Sequence, residues 1–200
     1  MRKLLQWGMV LFMMMVPLIN KAQELDHPTR IFKPFKVGVG INLTFPASKD
    51  LTLGGGFFVE PRYGINDHFH VGLQLGSNII GEGQFLLHNT QAVTRAQAIG
   101  NVSLTNDYMF SLENVRPYIG MAAGMYRRSD YEIIDENSGT IINNQGTHVN
   151  FGLAPRMGLV AGKFRMDATF HFTGSGITDF VSVRLGIQFG GGKINPQSFL

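Results

Sequence analysis

Hydrophobic and polar residues alternate strictly over residues 163–172, K-F-R-M-D-A-T-F-H-F. Phe164, Met166, Ala168, Phe170 and Phe172 take one parity; Lys163, Arg165, Asp167, Thr169 and His171 take the other. A period of two marks a β-strand with two unlike faces. One such strand would also suit a soluble sheet. Here the pattern returns along nearly the whole chain in segments of about ten residues, the length a strand needs to cross a bilayer. Lipid offers no partners for backbone N–H and C=O groups, so strands span it only as a closed barrel. The pattern therefore predicts an all-β chain: an eight-stranded, antiparallel, up-and-down transmembrane barrel.

The first strand is placed over 35–45, with Val37, Val39, Ile41 and Leu43 outward and Gly38, Gly40, Asn42 and Thr44 inward. A turn over 46–50 leads to a second strand over 51–65, and Asn66-Asp67 is a tight-turn signal. The third strand turns Phe69, Val71, Leu73 and Leu75 outward, and a loop follows over 78–92. The fourth, over 93–106, is the least regular. Residues 108–115 then turn into a fifth, where Ile119, Met121, Ala123 and Met125 alternate with Tyr118, Gly120, Ala122, Gly124 and Tyr126. The polar run 129–146 reads as the longest loop. Strand six covers 147–160, strand seven is the segment above, and strand eight turns Val181, Val183, Leu185, Ile187 and Phe189 outward.

Loop lengths follow the same plan. The turns after strands two, four and six are short or moderate, and those after three and five are long, as in outer-membrane barrels with short periplasmic turns and longer extracellular loops. An even strand number puts both chain ends on the periplasmic side. Pro61, Pro117 and Pro155 fall in or beside strands, toward that side and with outward parity, where local bulges are expected to accommodate them.

Composition changes the picture at the N-terminus. Arg2 and Lys3 precede an apolar run, and Ala22 offers a small residue at a cleavage point, so residues 1–22 read as a signal peptide. Residues 23–34 then form a periplasmic lead-in, 35–189 the barrel and 190–200 a periplasmic tail. Loss of Arg2, Lys3 and Lys21 takes 17 bases to 14, against 14 acids. A formally neutral mature chain does not support nucleic-acid binding. The leader also holds Trp7, the single tryptophan, so any aromatic girdle must use Phe and Tyr. With no cysteine, disulfides and thiolate metal sites are excluded.

The alternating strands, the run Arg116-Pro-Tyr-Ile-Gly-Met-Ala-Ala-Gly and the last strand Arg184-Leu-Gly-Ile-Gln-Phe together resemble the small outer-membrane β-barrel family of OmpA and OmpX type, over residues 35–189. The resemblance implies location in the outer membrane of a Gram-negative bacterium and contact with its lipids. It also implies delivery by periplasmic chaperones and insertion by the barrel assembly machinery. Gly186, Ile187 and Phe189 resemble the family's terminal assembly signal. The family often ends at that aromatic, whereas here residues 190–200 follow, so Ser198-Phe199-Leu200 is a second candidate.

Chemistry-bearing residues concentrate in the lumen. Arg62-x-Gly64, Arg156-x-Gly158 and Arg184-x-Gly186 recur in strands two, six and eight, at one predicted height. Arg116, Arg165 and Lys36 join this belt, with Glu60 and Asp167 as the inward acids. The neighbouring glycines are expected to leave room for guanidinium groups. Such a belt can plug a narrow barrel as an ion-pair network or attract anions along a path.

His171-Phe-Thr173 faintly resembles the His-x-Ser element of outer-membrane lipid A deacylases. Thr stands for Ser, however, and Asp179 is the only acid after His171. His68 and His70 alternate beside a turn without an evident third metal ligand. Asp130, Glu132, Asp135 and Glu136 lack the spacing of a calcium loop. The reading is a monomeric barrel, not an enzyme and without a cofactor. Its role is structural or surface-interacting, with a narrow anion-preferring pore as the alternative.

Cleavage after Ala22 is expected to leave Gln23 as the first residue of the exported protein. The intact mass of the membrane-inserted form checks this.

Overall fold

The computed structural model describes residues 30–48, 51–82, 92–136 and 139–194. The predicted signal peptide, most of the 23–34 segment and Ser198-Phe199-Leu200 lie outside the described residues. Eight strands follow in chain order: β1 (Phe35–Pro46), β2 (Gly54–Gly64), β3 (Phe69–Glu82), β4 (Ala92–Met109), β5 (Val115–Glu136), β6 (Gly139–Ala161), β7 (Phe164–His171) and β8 (Phe180–Gly190). Each pairs antiparallel with its sequence neighbours. β1 closes the barrel on β8 through an unbroken register from Lys36↔Gly190 to Pro46↔Phe180.

Alternation sorts the side chains as predicted. Asn42, Thr44, Tyr118, Ala122 and Arg184 are buried inside, while Ile41, Leu104, Met157 and Phe164 are each at least 65% exposed on the outer wall. A largely apolar wall of this kind is unstable in water and suits hydrocarbon. Aromatic residues mark its two ends. Phe35, Tyr63, Tyr108, Phe110 and Phe189 lie toward the short turns, and Phe45, Phe57, Phe151 and Phe172 toward the other rim.

Three expectations are corrected. β4 is regular: its register with β3 is continuous from Phe69↔Tyr108 to Glu82↔Arg95, and the strand runs to Met109 rather than Asn106. The polar run 129–146, expected as the longest loop, is strand over 129–136 and 139–146. β5 and β6 stay paired out to Glu136↔Gly139, with one irregularity at Asp130/Tyr131. Polar side chains suit both faces of a strand in water, so the hydrophobic period falls silent while backbone pairing continues.

The prolines, third, are accommodated without bulges. Two rungs drop out beside Pro61, between Val59↔Leu75 and Arg62↔Gly72, and two beside Pro155, between Leu153↔Phe172 and Arg156↔Thr169. In both places the register resumes unshifted. A missing N–H costs a local rung, not the alignment.

At the short-turn end the flanks of the barrel pair with each other. Lys33 N donates to Gly192 O (2.9 Å), Ile194 N to Ile31 O (2.8 Å), and Phe32 bridges Lys193. The Asp67 carboxylate, in the β2–β3 turn, accepts the N–H groups of Ile31 (3.0 Å) and Phe32 (3.1 Å). This clasp holds Phe32, 7% exposed, across the mouth.

A Cβ at Gly40 would press on Leu185 O and lie 2.6 Å from Gly186 Cα, across the closing seam; one at Gly55 would meet Asn42 O at 3.5 Å. Gly40→Ala is therefore expected to destabilise the barrel by about 1–3 kcal/mol through overpacking. Gly55→Ala should be nearly neutral. Denaturant unfolding in micelles, with both variants side by side, measures the difference.

Candidate functional site

The inward residues form three layers. In the middle, four arginines and three carboxylates share one hydrogen-bonded network, enclosed by the barrel wall. Arg156 donates to Glu60 Oε1 (2.7 Å), Asp107 Oδ1 (2.7 Å) and Gln74 Oε1 (3.3 Å). Arg184 donates to Asp167 Oδ1 and to the same Gln74 oxygen (2.6 Å). Arg165 binds Asp167 (3.1 Å) and Asp107 (3.3 Å) and lies 3.4 Å from Glu60. Arg62 donates to Gln188 (2.6 Å) and stands 3.5 Å from Asp107.

Neutral donors complete the carboxylates: Tyr118 and Thr169 on Asp167, Thr105 on Glu60. A buried charge is tolerated only when paired and hydrogen-bonded, and here each carboxylate is shared between arginines.

Below this network, toward the short turns, Lys36 Nζ is 3.0 Å from His70 Nε2. The Arg116 guanidinium lies 4.2 Å from the centre of the Phe32 ring. Above the network, His171 stacks on Phe180 at 4.2 Å and sits between Tyr126 Oη (2.9 Å) and Ser182 Oγ (2.8 Å). Beyond it, Ile80, Ile99, Tyr126, Ile177 and Phe180 form an apolar cluster inside the barrel, with Leu51 packed against it.

All six predicted belt cations, Lys36, Arg62, Arg116, Arg156, Arg165 and Arg184, are inward and no more than 4% exposed, as are Glu60 and Asp167. The network brings four of the arginines together; Lys36 and Arg116 stand apart from it. Sequence reasoning misses Asp107, the carboxylate that contacts three arginines, because the predicted fourth strand ends one residue short of it. It also leaves Gln74, Gln188 and Tyr118 out of the network, although their polar ends on inward parity were the available signal.

The glycine expectation is corrected as well. A Cβ at Gly64, Gly158 or Gly186 would meet His70, Asp167 or Phe58, whereas the space beside guanidinium-bearing side chains comes from Gly72, against Arg62, and Gly120, against Arg156 and Asp107.

The weaker candidates do not assemble. His68 turns its Nδ1 to Met109 O (2.7 Å) and stacks on Tyr108, while His70 faces Lys36. Among the described residues no three His, Asp or Glu side chains converge on a metal position. Thr173 Oγ1 donates to Ile177 O (2.9 Å) and Asp179 Oδ1 (3.2 Å), so the acid engages the hydroxyl and not His171. Of the acids in the 129–146 run, Asp130 pairs with Arg128 at 2.7 Å; the side chains of Glu132, Asp135 and Glu136 lie outside the described residues. In the candidate assembly signal, Ile187 and Phe189 are exposed on the outer wall and Gly186 faces in.

No protein-family model matches the chain, and no curated protein matches its sequence. Solved structures do. Ail, the attachment invasion locus protein of Yersinia pestis, is 16% identical with a TM-score of 0.50, over 78% of this chain and 99% of that one. The same protein has been solved in complex with the heparin analogue sucrose octasulfate. Neisserial surface protein A is 15% identical with a TM-score of 0.50, over 80% of this chain and 98% of that one. The fold is that of a small eight-stranded outer-membrane β-barrel. In such a barrel the polar network occupies the place of a hydrophobic core.

Asp107→Asn is expected to destabilise the barrel by roughly 3–5 kcal/mol, because it leaves buried guanidinium charge without its shared partner. Denaturant unfolding in micelles, alongside Asp130→Asn at the solvated rim as a near-neutral control, tests this.

Proposed function

We propose that the protein is a monomeric barrel of the Gram-negative outer membrane that holds a rigid β-extension at the cell surface for interaction with a partner, and that its lumen is closed to solutes. The observation that carries this reading is the inequality of the strands. β5 and β6 have 22 and 23 residues, and β7 has 8. A spanning strand needs about 9–11 residues, so the β5–β6 hairpin exceeds it by about a dozen, roughly 40 Å of chain.

Among the described residues, β7 pairs with β6 only from Arg156 to Ala161, with one further bridge at Leu153. Residues 139–145 of β6 lie well beyond both, with β5 on one side and no described strand on the other. The outer N–H and C=O groups of such a strand are a template for an added strand. Natural sheets guard such edges with charge or proline, yet the segment G-T-I-I-N-N-Q contains neither. An extended peptide segment of a surface partner fits this edge. Two proteins of the same fold carry an attachment or surface role in their names, which agrees with the reading.

A closed lumen is supported by its contents: the ion-pair network in the middle, the apolar cluster above and Phe32 below. Eight strands leave an interior about wide enough for side chains alone. No catalytic role is assigned. Lipids of the outer membrane surround the apolar wall, and periplasmic chaperones and the barrel assembly machinery deliver it.

The refolded protein is expected to give no conductance steps in a planar bilayer. A fluorescent peptide copying residues 139–145 should bind it saturably. Ile142→Pro, in the middle of that edge, should weaken the binding about tenfold by interrupting the ladder. Discrete anion-preferring steps together with no peptide binding would replace this reading with the narrow pore.

A further inference from the structure

We infer that the short-turn mouth of the barrel, periplasmic in the proposed topology, carries a phosphate-binding site built on Arg116. A cavity of about 440 Å³ opens there between the β4–β5 and β6–β7 turns and the paired flanks. Phe32, Arg116 and Gln188 line its buried wall, and the exposed Lys33, Lys163 and Lys193 line its outer part. Glu113 is the one acid among its lining residues, so four cations face a single carboxylate. Asp67, the other acid near this mouth, accepts the backbone N–H groups of Ile31 and Phe32 and places a second negative charge within electrostatic reach of Arg116, so the cations still outnumber the acids by two.

Arg116 distinguishes this cavity from a solvated basic patch. It is only 4% exposed, and its Nη1 is buried without a hydrogen-bond partner, as are single nitrogens of Arg165 and Arg184 and two of Arg62. Among the described residues it is the one lumen arginine with no carboxylate in ion-pair contact. The other four lumen arginines each reach Glu60, Asp107 or Asp167. A guanidinium withdrawn from water with an unused donor is unfavourable unless an acceptor arrives. The neighbouring lysines supply a field that favours an anion carrying more than one charge. Guanidinium forks match the oxygens of a phosphate group.

The frame is already set. Phe32 stacks under the guanidinium, and the lysine-bearing segments are pinned by Lys33 N to Gly192 O (2.9 Å) and Gln188 N to Lys163 O (2.7 Å). A free phosphate and the phosphate headgroup of a lipid in the facing leaflet present the same chemistry. The site is independent of the β6 edge and stands or falls separately from it.

Equilibrium dialysis of the refolded protein in an uncharged detergent against labelled inorganic phosphate is expected to show saturable binding of one ion per chain. Arg116→Gln should weaken it at least about tenfold. Because Arg116 packs on Phe32, the double variant Lys163→Gln/Lys193→Gln is measured in parallel; both side chains are exposed, and several-fold weaker binding with a shallower salt dependence is expected. Native mass spectrometry after reconstitution with phosphatidate or phosphatidylcholine separates the two sources. Phosphatidate retained by the unaltered protein and lost from the double variant would put the phosphate on a lipid. Absence of binding in both arms, or binding unchanged in both variants, would overturn the site.

Discussion

Closure of the sheet is the constraint from which the rest follows. Hydrocarbon cannot accept or donate a hydrogen bond, so no strand edge can face it, and the β1–β8 ladder removes the last one. Once the sheet closes, strand parity becomes absolute: one set of side chains meets lipid and the other is shut inside. A slip of one residue would place arginines in hydrocarbon and leucines in the lumen, so the register is firmly specified. The prolines illustrate how firmly, because rungs are lost beside Pro61 and Pro155 while the alignment on either side is kept.

An eight-stranded interior is about wide enough for side chains to fill, and here it is too polar for an ordinary core. The chain resolves this with layers. Ion pairs fill the middle, where each carboxylate serves more than one guanidinium, and aromatic and aliphatic side chains fill the end away from the short turns. At the other end the flanking segments fold across the mouth and hold Phe32 in place through Asp67. The same burial encloses Arg116, which lies outside the network and has no carboxylate in ion-pair contact among the described residues.

Beyond the membrane the constraint is relaxed. Water can satisfy an open edge, so β5 and β6 continue as a hairpin while β7 stops after eight residues. Among the described residues, the edge of β6 that no strand covers is a direct consequence of that difference in length.

Fold class, strand number, parity and the inward placement of the arginines were legible in the sequence because they depend on a local period of two, which each strand carries by itself. The continuation of β5 over 131–136 and of β6 over 139–146 was not, since in water neither face must be apolar and the period disappears. Asp107 was hidden for a related reason: an acid beside Asn106 and Tyr108 reads as turn chemistry until its neighbours on β3 and β5 are known. Which carboxylate serves which arginine, and the pairing of residues 31–33 with 192–194, were decided by the tertiary structure alone. Apart from Arg165 with Asp167, those contacts join residues well separated along the chain, and only the closed barrel sets the distances between them.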